Sequence, residues 1–170
     1  MEKYKLPKGF VASGIHSGVK KKRKDLSLIF SSSPCKVAAM FTKNLVKAAP
    51  VVLAQEDLKN TSHVNAIIVN SGNANCMTGE RGIKDAKSVR NSAAKALGVG
   101  KEKVMVSSTG IIGEYLPVKT IVSAIPELIS ALTPQGINDA ADGIMTTDNF
   151  RKIKMEQFFV GDKKVTAYKL

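Results

Sequence analysis

Two short stretches of the 170-residue chain gather glycine, serine, threonine and asparagine in a pattern that can hold an anion. The first is Asn70-Ser71-Gly72-Asn73-Ala74-Asn75, directly after the β-branched run VNAIIVN. The second is Ser107-Ser108-Thr109-Gly110-Ile111-Ile112-Gly113, after the run KVMVSS and before a helical pattern. Junctions of this kind build ligand sites in open sheets. Glycine lets a backbone approach a ligand closely and turn its N–H groups toward negative charge. A Thr109 hydroxyl beside the Gly110 N–H supplies two donors, the minimum for an oxyanion hole. The plainer reading is that Gly, Asn and Ser are simply what tight turns use. A third candidate, Thr146-Thr147-Asp148, falls at the predicted end of a helix, where an Asx turn explains it equally well.

A complete nucleophile–base pair is not visible. His16 and His63 have no partner at metal-ligand spacing, so a metal site has little support. Cys35 and Cys76 form no CxxC, and Cys76 reads as a half-exposed bystander without a local base. The chain has no GxSxG elbow and no phosphate-binding P-loop.

The elements that must position these residues can be read from periodicity. Residues 10–19 and 25–31 read as strands, with Leu26, Leu28 and Phe30 alternating onto one face. The run Lys20-Lys21-Lys22-Arg23-Lys24 lies between them and reads as a solvated loop. A second strand pair is expected at 37–42 and 48–53, and a buried strand at 64–70. Over 82–97 the period changes. Ile83, Ala86, Val89 or Arg90, Ala93, Ala94 and Leu97 form a helical stripe, closed by Gly98. A strand follows at 103–108. Pro117 opens the next helix, which Pro126 should kink or split. Another helix is expected at 136–146, with Ile137, Ala140, Ala141 and Ile144 inward, and then a hairpin, 153–160 and 165–170, around Gly161-Asp162. The fold class expected is α+β (mixed α/β), a layered sheet covered by helices, with residues 1–170 as a single domain.

Composition sets the outer limits. With 44% apolar and 24% charged residues, the chain is globular rather than disordered. It has no apolar run long enough for a transmembrane helix and no secretory h-region, so a reduced, cytoplasmic setting is expected. The net charge is +12, a field that attracts nucleic acid, acidic surfaces or acidic small molecules. Aromatics are only 5% and Trp is absent, which is thin for a chain that stacks bases.

Taken together, the three polar segments resemble the ornithine acetyltransferase (ArgJ) family. Asn70–Asn75 with Thr78-Gly79 is similar to its NSGNAN…TG signature, Ser107–Gly113 to its SSTGxIG segment, and Ile144–Asp148 to its IMTTD segment. Gly9-Phe10, Gly14 and Lys24-Asp25-Leu26 resemble its opening GF…G…KDL pattern, so the resemblance runs from about residue 7 to the end. Cys76-Met77, Asn149 and Arg151 depart from the family pattern and leave the Thr109–Gly110 pair intact.

The resemblance implies an enzyme that moves acetyl from N-acetylornithine to glutamate in arginine biosynthesis. Some members also take acetyl-CoA as co-substrate, and no resident cofactor is implied. The family's precursor cleaves itself before a threonine, which becomes the nucleophile at the N-terminus of a β chain. An N-terminal threonine uses its own α-amine as base, so no triad is needed. By resemblance, Thr109 and Gly110 form the oxyanion hole and Thr146 binds substrate. The cleavage threonine and a substrate-binding lysine would lie beyond residue 170. The chain is then expected to be the α chain of an α2β2 heterotetramer, with neither nucleic acid nor membrane as partner. The strand pattern running to Leu170 without a polar tail agrees with a polypeptide that continues. Two other readings stay open: a basic nucleic-acid-binding module, resting on the charge and Lys20–Lys24, and a related self-processing N-terminal-nucleophile hydrolase.

Overall fold

The computed structural model describes residues 4–170. Its main sheet contains β1 (Phe10–Ile15), β2 (Leu26–Lys36), β3 (His63–Asn73) and β4 (Val104–Ile111), side by side in chain order. The first three strands run antiparallel, and β3 and β4 run parallel. A parallel pair needs a long crossover, and helix α2 (Gly79–Leu97) provides it. Gly98, left-handed at φ 68°, ends that helix.

Strand alternation sorts the sheet into two faces. Leu26 and Leu28 of β2, Ala66 and Ile68 of β3 and Val104 of β4 share one face. There they meet Val89, Ala93 and Ala94 of α2 and Ile121, Ile125 and Leu128 of α3 (Val118–Ser130). Ser27 and Ile29 point the other way, toward α4 (Ile137–Ile144). Each fully buried Leu or Ile in these layers contributes roughly 1.5–3 kcal/mol. The result is the mixed α+β layering expected, a sheet between helices. β5 (Lys154–Val160) and β6 (Lys163–Lys169) form the expected hairpin as a separate two-stranded sheet. Tyr168 ties it to the N-terminal segment, meeting the Tyr4 ring edge-on and donating to the Lys5 carbonyl.

Two expectations are corrected. Residues 37–48 form no strand; they run irregularly, with Met40 and Leu45 fully exposed. The expected partner at 48–53 is instead the start of helix α1 (Ala49–Asp57). Pro50 occupies its first turn, where a missing N–H costs nothing. Ala49, Pro50, Leu53, Ala54 and Asp57 are buried at helical spacing, and Leu53 and Ala49 cluster with Ala86 of α2. Pro126, in turn, does not split α3, which runs unbroken from Val118 to Ser130. Pro126 lies on the exposed side of that helix.

Among the described residues, no helix is long and apolar enough to cross a membrane.

Candidate active site

The two glycine-rich stretches are strand ends rather than loops, and they lie against each other. β3 carries Asn70 through Asn73 and β4 carries Ser107 through Ile111. In the parallel register Asn70 faces Ser108, Ser71 faces Thr109 and Gly72 faces Gly110, and the register slips at Asn73. Gly110 has φ 135° and Gly72 φ 104°, both in territory that side chains avoid. A Cβ on Gly110 would come within 2.6 Å of the Asn73 nitrogen. Glycine is therefore required here for close backbone approach as well as for torsion.

The asparagines are the brackets of this junction. Asn70 accepts from the Ser108 hydroxyl at 2.6 Å and donates to the Asn73 carbonyl at 2.8 Å. Asn73 donates to the carbonyls of Glu114 and Tyr115 at 3.2 and 3.1 Å and accepts from the Asn75 N–H. Asn75, fully buried, donates to the Gly82 carbonyl and accepts from the Thr78 hydroxyl, both at 2.9 Å. These amides meet the backbone's hydrogen-bonding demand where the regular ladder ends. Here the turn-chemistry reading of the Asn residues is the right one.

Thr109 is placed differently. Val104, Val106 and Ser108 face α2, so alternation puts Thr109 on the opposite face with Ser71. That face is covered by α4 over β1, β2 and β3, and it opens beside β4, where Ser107 is exposed. Thr109 is half-buried and Gly110 is exposed.

Thr146 follows α4 and is half-buried; the chain leaves the helix at Met145 in an extended conformation. Two contacts tie this segment to the glycine junction. The Ser71 hydroxyl donates to the Gly143 carbonyl at 2.6 Å. Lys20 lies against Gly72 and donates from Nζ to the Met145 carbonyl at 2.9 Å. The neighbouring Asp148 accepts from the Lys152 ammonium. The Lys152 hydrogen bond and charge, followed by the backbone N–H bonds, hold its carboxyl below the usual aspartate range.

Asp25, named in sequence only within the KDL resemblance, and Lys20, read as part of a solvated loop, are the residues whose place beside the site sequence reading missed. Asp25 is fully buried, and its carboxylate collects the Ser17 N–H at 2.6 Å, the Ser17 hydroxyl at 2.8 Å, the Gly18 N–H at 3.2 Å and the Lys20 N–H at 2.8 Å. This cage folds the 17–20 turn, with Gly18 at φ 99°. The basic run is solvated only at Lys21, Lys22 and Arg23. Lys24 pairs with Asp139 of α4 at 2.5 Å. Burial draws the Lys20 ammonium below its ordinary pKa; Asp25 opposes that shift and Arg23 adds to it. The available signal was position: Lys20 begins a charge run directly after a glycine turn, beside a sheet edge.

Comparison with known proteins shows the family and the fold. The ArgJ family model matches residues 11–169. The arginine biosynthesis bifunctional protein ArgJ of Caldanaerobacter subterraneus subsp. tengcongensis is 47% identical over 164 residues, covering 96% of this chain and 40% of that sequence. Its Bacillus subtilis counterpart is 44% identical over 160 residues, covering 94% and 39%. The chain thus spans about two fifths of the curated relatives it matches. The crystal structure of arginine biosynthesis bifunctional protein ArgJ from Bacillus halodurans superposes with TM-score 0.92 at 40% identity, covering 99% of this chain and 89% of that one. Ornithine acetyltransferase from Mycobacterium tuberculosis, solved with ornithine, gives TM-score 0.87 at 34% identity, covering 99% and 92%. On sequence and on fold alike, the chain belongs to the ArgJ family.

Proposed function

We propose that this chain is the α chain of a glutamate N-acetyltransferase, moving acetyl from N-acetylornithine to glutamate in arginine biosynthesis. The observation that carries the reading is the β3–β4 junction, which presents Thr109 and Gly110 together on the open part of the sheet. In this reading the β chain supplies an N-terminal threonine. Its hydroxyl attacks the acetyl carbonyl and its α-amine takes the proton. The carbonyl oxygen becomes an oxyanion, which the Thr109 hydroxyl and Gly110 N–H stabilise. The C–N bond then breaks as the α-ammonium returns that proton to the departing nitrogen, and ornithine leaves as the free amine. The glutamate amine attacks the acetyl-threonine ester through a second oxyanion, which regenerates the hydroxyl and releases N-acetylglutamate. Thr146 contacts the bound substrate.

Three observations support it. The ornithine acetyltransferase that this chain resembles was crystallised with ornithine. Curated ArgJ sequences are matched over about 40% of their length, whereas the two crystal chains are matched over 89% and 92%, as a divided precursor would give. The +12 charge favours substrates that carry carboxylates. The same reading gives an α2β2 assembly in the cytoplasm and no resident cofactor.

The test is acetyl transfer by the full-length precursor after processing. Transfer of acetyl from N-acetylornithine to glutamate supports the reading. Release of free acetate in its place, independent of glutamate, favours the hydrolase alternative and overturns it.

A further inference from the structure

The 17–20 turn has no role in the chemistry above, yet it is one of the most tightly held parts of the chain. A fully buried carboxylate, Asp25, receives four donors from it. A turn held this way fixes the direction in which the Lys20 backbone launches its side chain. That side chain crosses the edge of the glycine junction: its Cγ stands where a Cβ on Gly72 would be 2.8 Å away. Its ammonium ends at the Met145 carbonyl, the residue before Thr146. Thr146 has left the helix, so no helical hydrogen-bond ladder holds it in place. Beyond Thr146 the segment is held by the exposed pair Asp148–Lys152 and by Arg151, which donates to both carboxylate oxygens of Asp142 in α4, and neither pair reaches the glycine junction.

We infer that Lys20 is a positioning residue, whose bond to the Met145 carbonyl sets Thr146 at a fixed distance from the Gly72–Gly110 junction. Lys20 touches neither substrate nor reacting atoms and acts through Thr146. Its aliphatic stem packs on the junction while its charged end reaches the loop, so one side chain spans both halves of the site. The inference rests on the acyl-transfer reading; turnover of the wild-type enzyme tests that reading separately.

The experiment uses the processed full-length enzyme and varies N-acetylornithine at saturating glutamate. Lys20→Met keeps the stem and removes the donor. It should raise KM for N-acetylornithine about tenfold and leave kcat within about twofold, because a misplaced binding group weakens binding without touching the oxyanion donors. Lys20→Arg, which restores a donor, should bring KM back to within about threefold of wild type. In a Thr146→Ala background, Lys20→Met should add nothing further, since residues acting through one contact are not additive. KM unchanged in Lys20→Met, a loss confined to kcat, or full additivity with Thr146→Ala overturns the assignment. If Lys20→Met does not process, Lys20→Gln, polar but too short, takes its place and must raise KM likewise. Failure of both to process also overturns it, because Lys20 would then serve the fold alone.

Discussion

Gly110 stands directly across from Gly72 in the parallel β3–β4 ladder, with the Asn73 nitrogen only 2.6 Å from where a Gly110 methyl group would sit. Gly110→Ala therefore meets two obstacles, a forbidden torsion and an immovable backbone. Gly113→Ala meets only the torsion, at φ 86°, with nothing within 4 Å of the added carbon. Backbone strain of this kind costs about 1–3 kcal/mol. Thermal unfolding of both variants should show the larger loss at Gly110. Equal losses would mean that the close approach has no energetic weight.

Asp25→Asn replaces a carboxylate oxygen with an amide NH2 that faces N–H donors. Each charge-assisted bond lost costs about 1.5–3 kcal/mol. The variant should unfold at a clearly lower temperature. Amides 17–20 should also exchange faster with solvent, measured by hydrogen exchange. Unchanged protection of those amides would contradict the cage.

Arg90 and Asp57 form a buried pair between α2 and α1, with Arg90 Nη1 at 2.6 and 2.7 Å from the two carboxylate oxygens. Arg90→Ala leaves Asp57 charged and buried, a loss of about 3–5 kcal/mol. Denaturant unfolding should register it. Asp57→Asn with Arg90→Met should recover part of the loss. A surface-like change below about 1 kcal/mol would argue that the pair is hydrated.

The Asp148 carboxyl should titrate with a midpoint below 3.8, because its hydrogen bond to Lys152 favours the charged form. A depressed folded-state value means that any stabilisation is present above 3.8 and fades as the pH falls through the lower midpoint. Carbon-detected NMR should show the midpoint rising in Lys152→Met. No change on that substitution would assign the shift to the backbone N–H bonds instead.

How far the sequence carried these conclusions depends on which force dominated locally. α2 and the alternation of Leu26 and Leu28 were legible, because each buries one uninterrupted apolar stripe. The 48–53 segment misled because Val51 and Val52 favour strands locally. Its Pro50 and the burial of Leu53, Ala54 and Asp57 at helical spacing decide otherwise. The motif singled out the Thr109–Gly110 pair but said nothing of its surroundings. The glycines read as loop, whereas the sheet continues through them by pairing Gly72 with Gly110. Pairing across 38 residues leaves no local trace in sequence, and neither does the reach of Lys20 to Met145. A charge run looks the same in sequence whether its first member is solvated or laid across a junction.

Donation by Thr109 to the oxyanion, as proposed, is tested by the turnover of Thr109→Ala in processed enzyme, normalised to the β chain present. Loss of one such donor costs about 2.7–4 kcal/mol, so kcat should fall roughly a hundred- to thousand-fold. KM should change far less, since the bond strengthens only as charge develops. Thr109→Ser, which keeps the hydroxyl, should retain most of the rate. Near wild-type turnover in Thr109→Ala, or a change confined to KM, would contradict the account and leave Thr109 as a strand residue with no part in the chemistry.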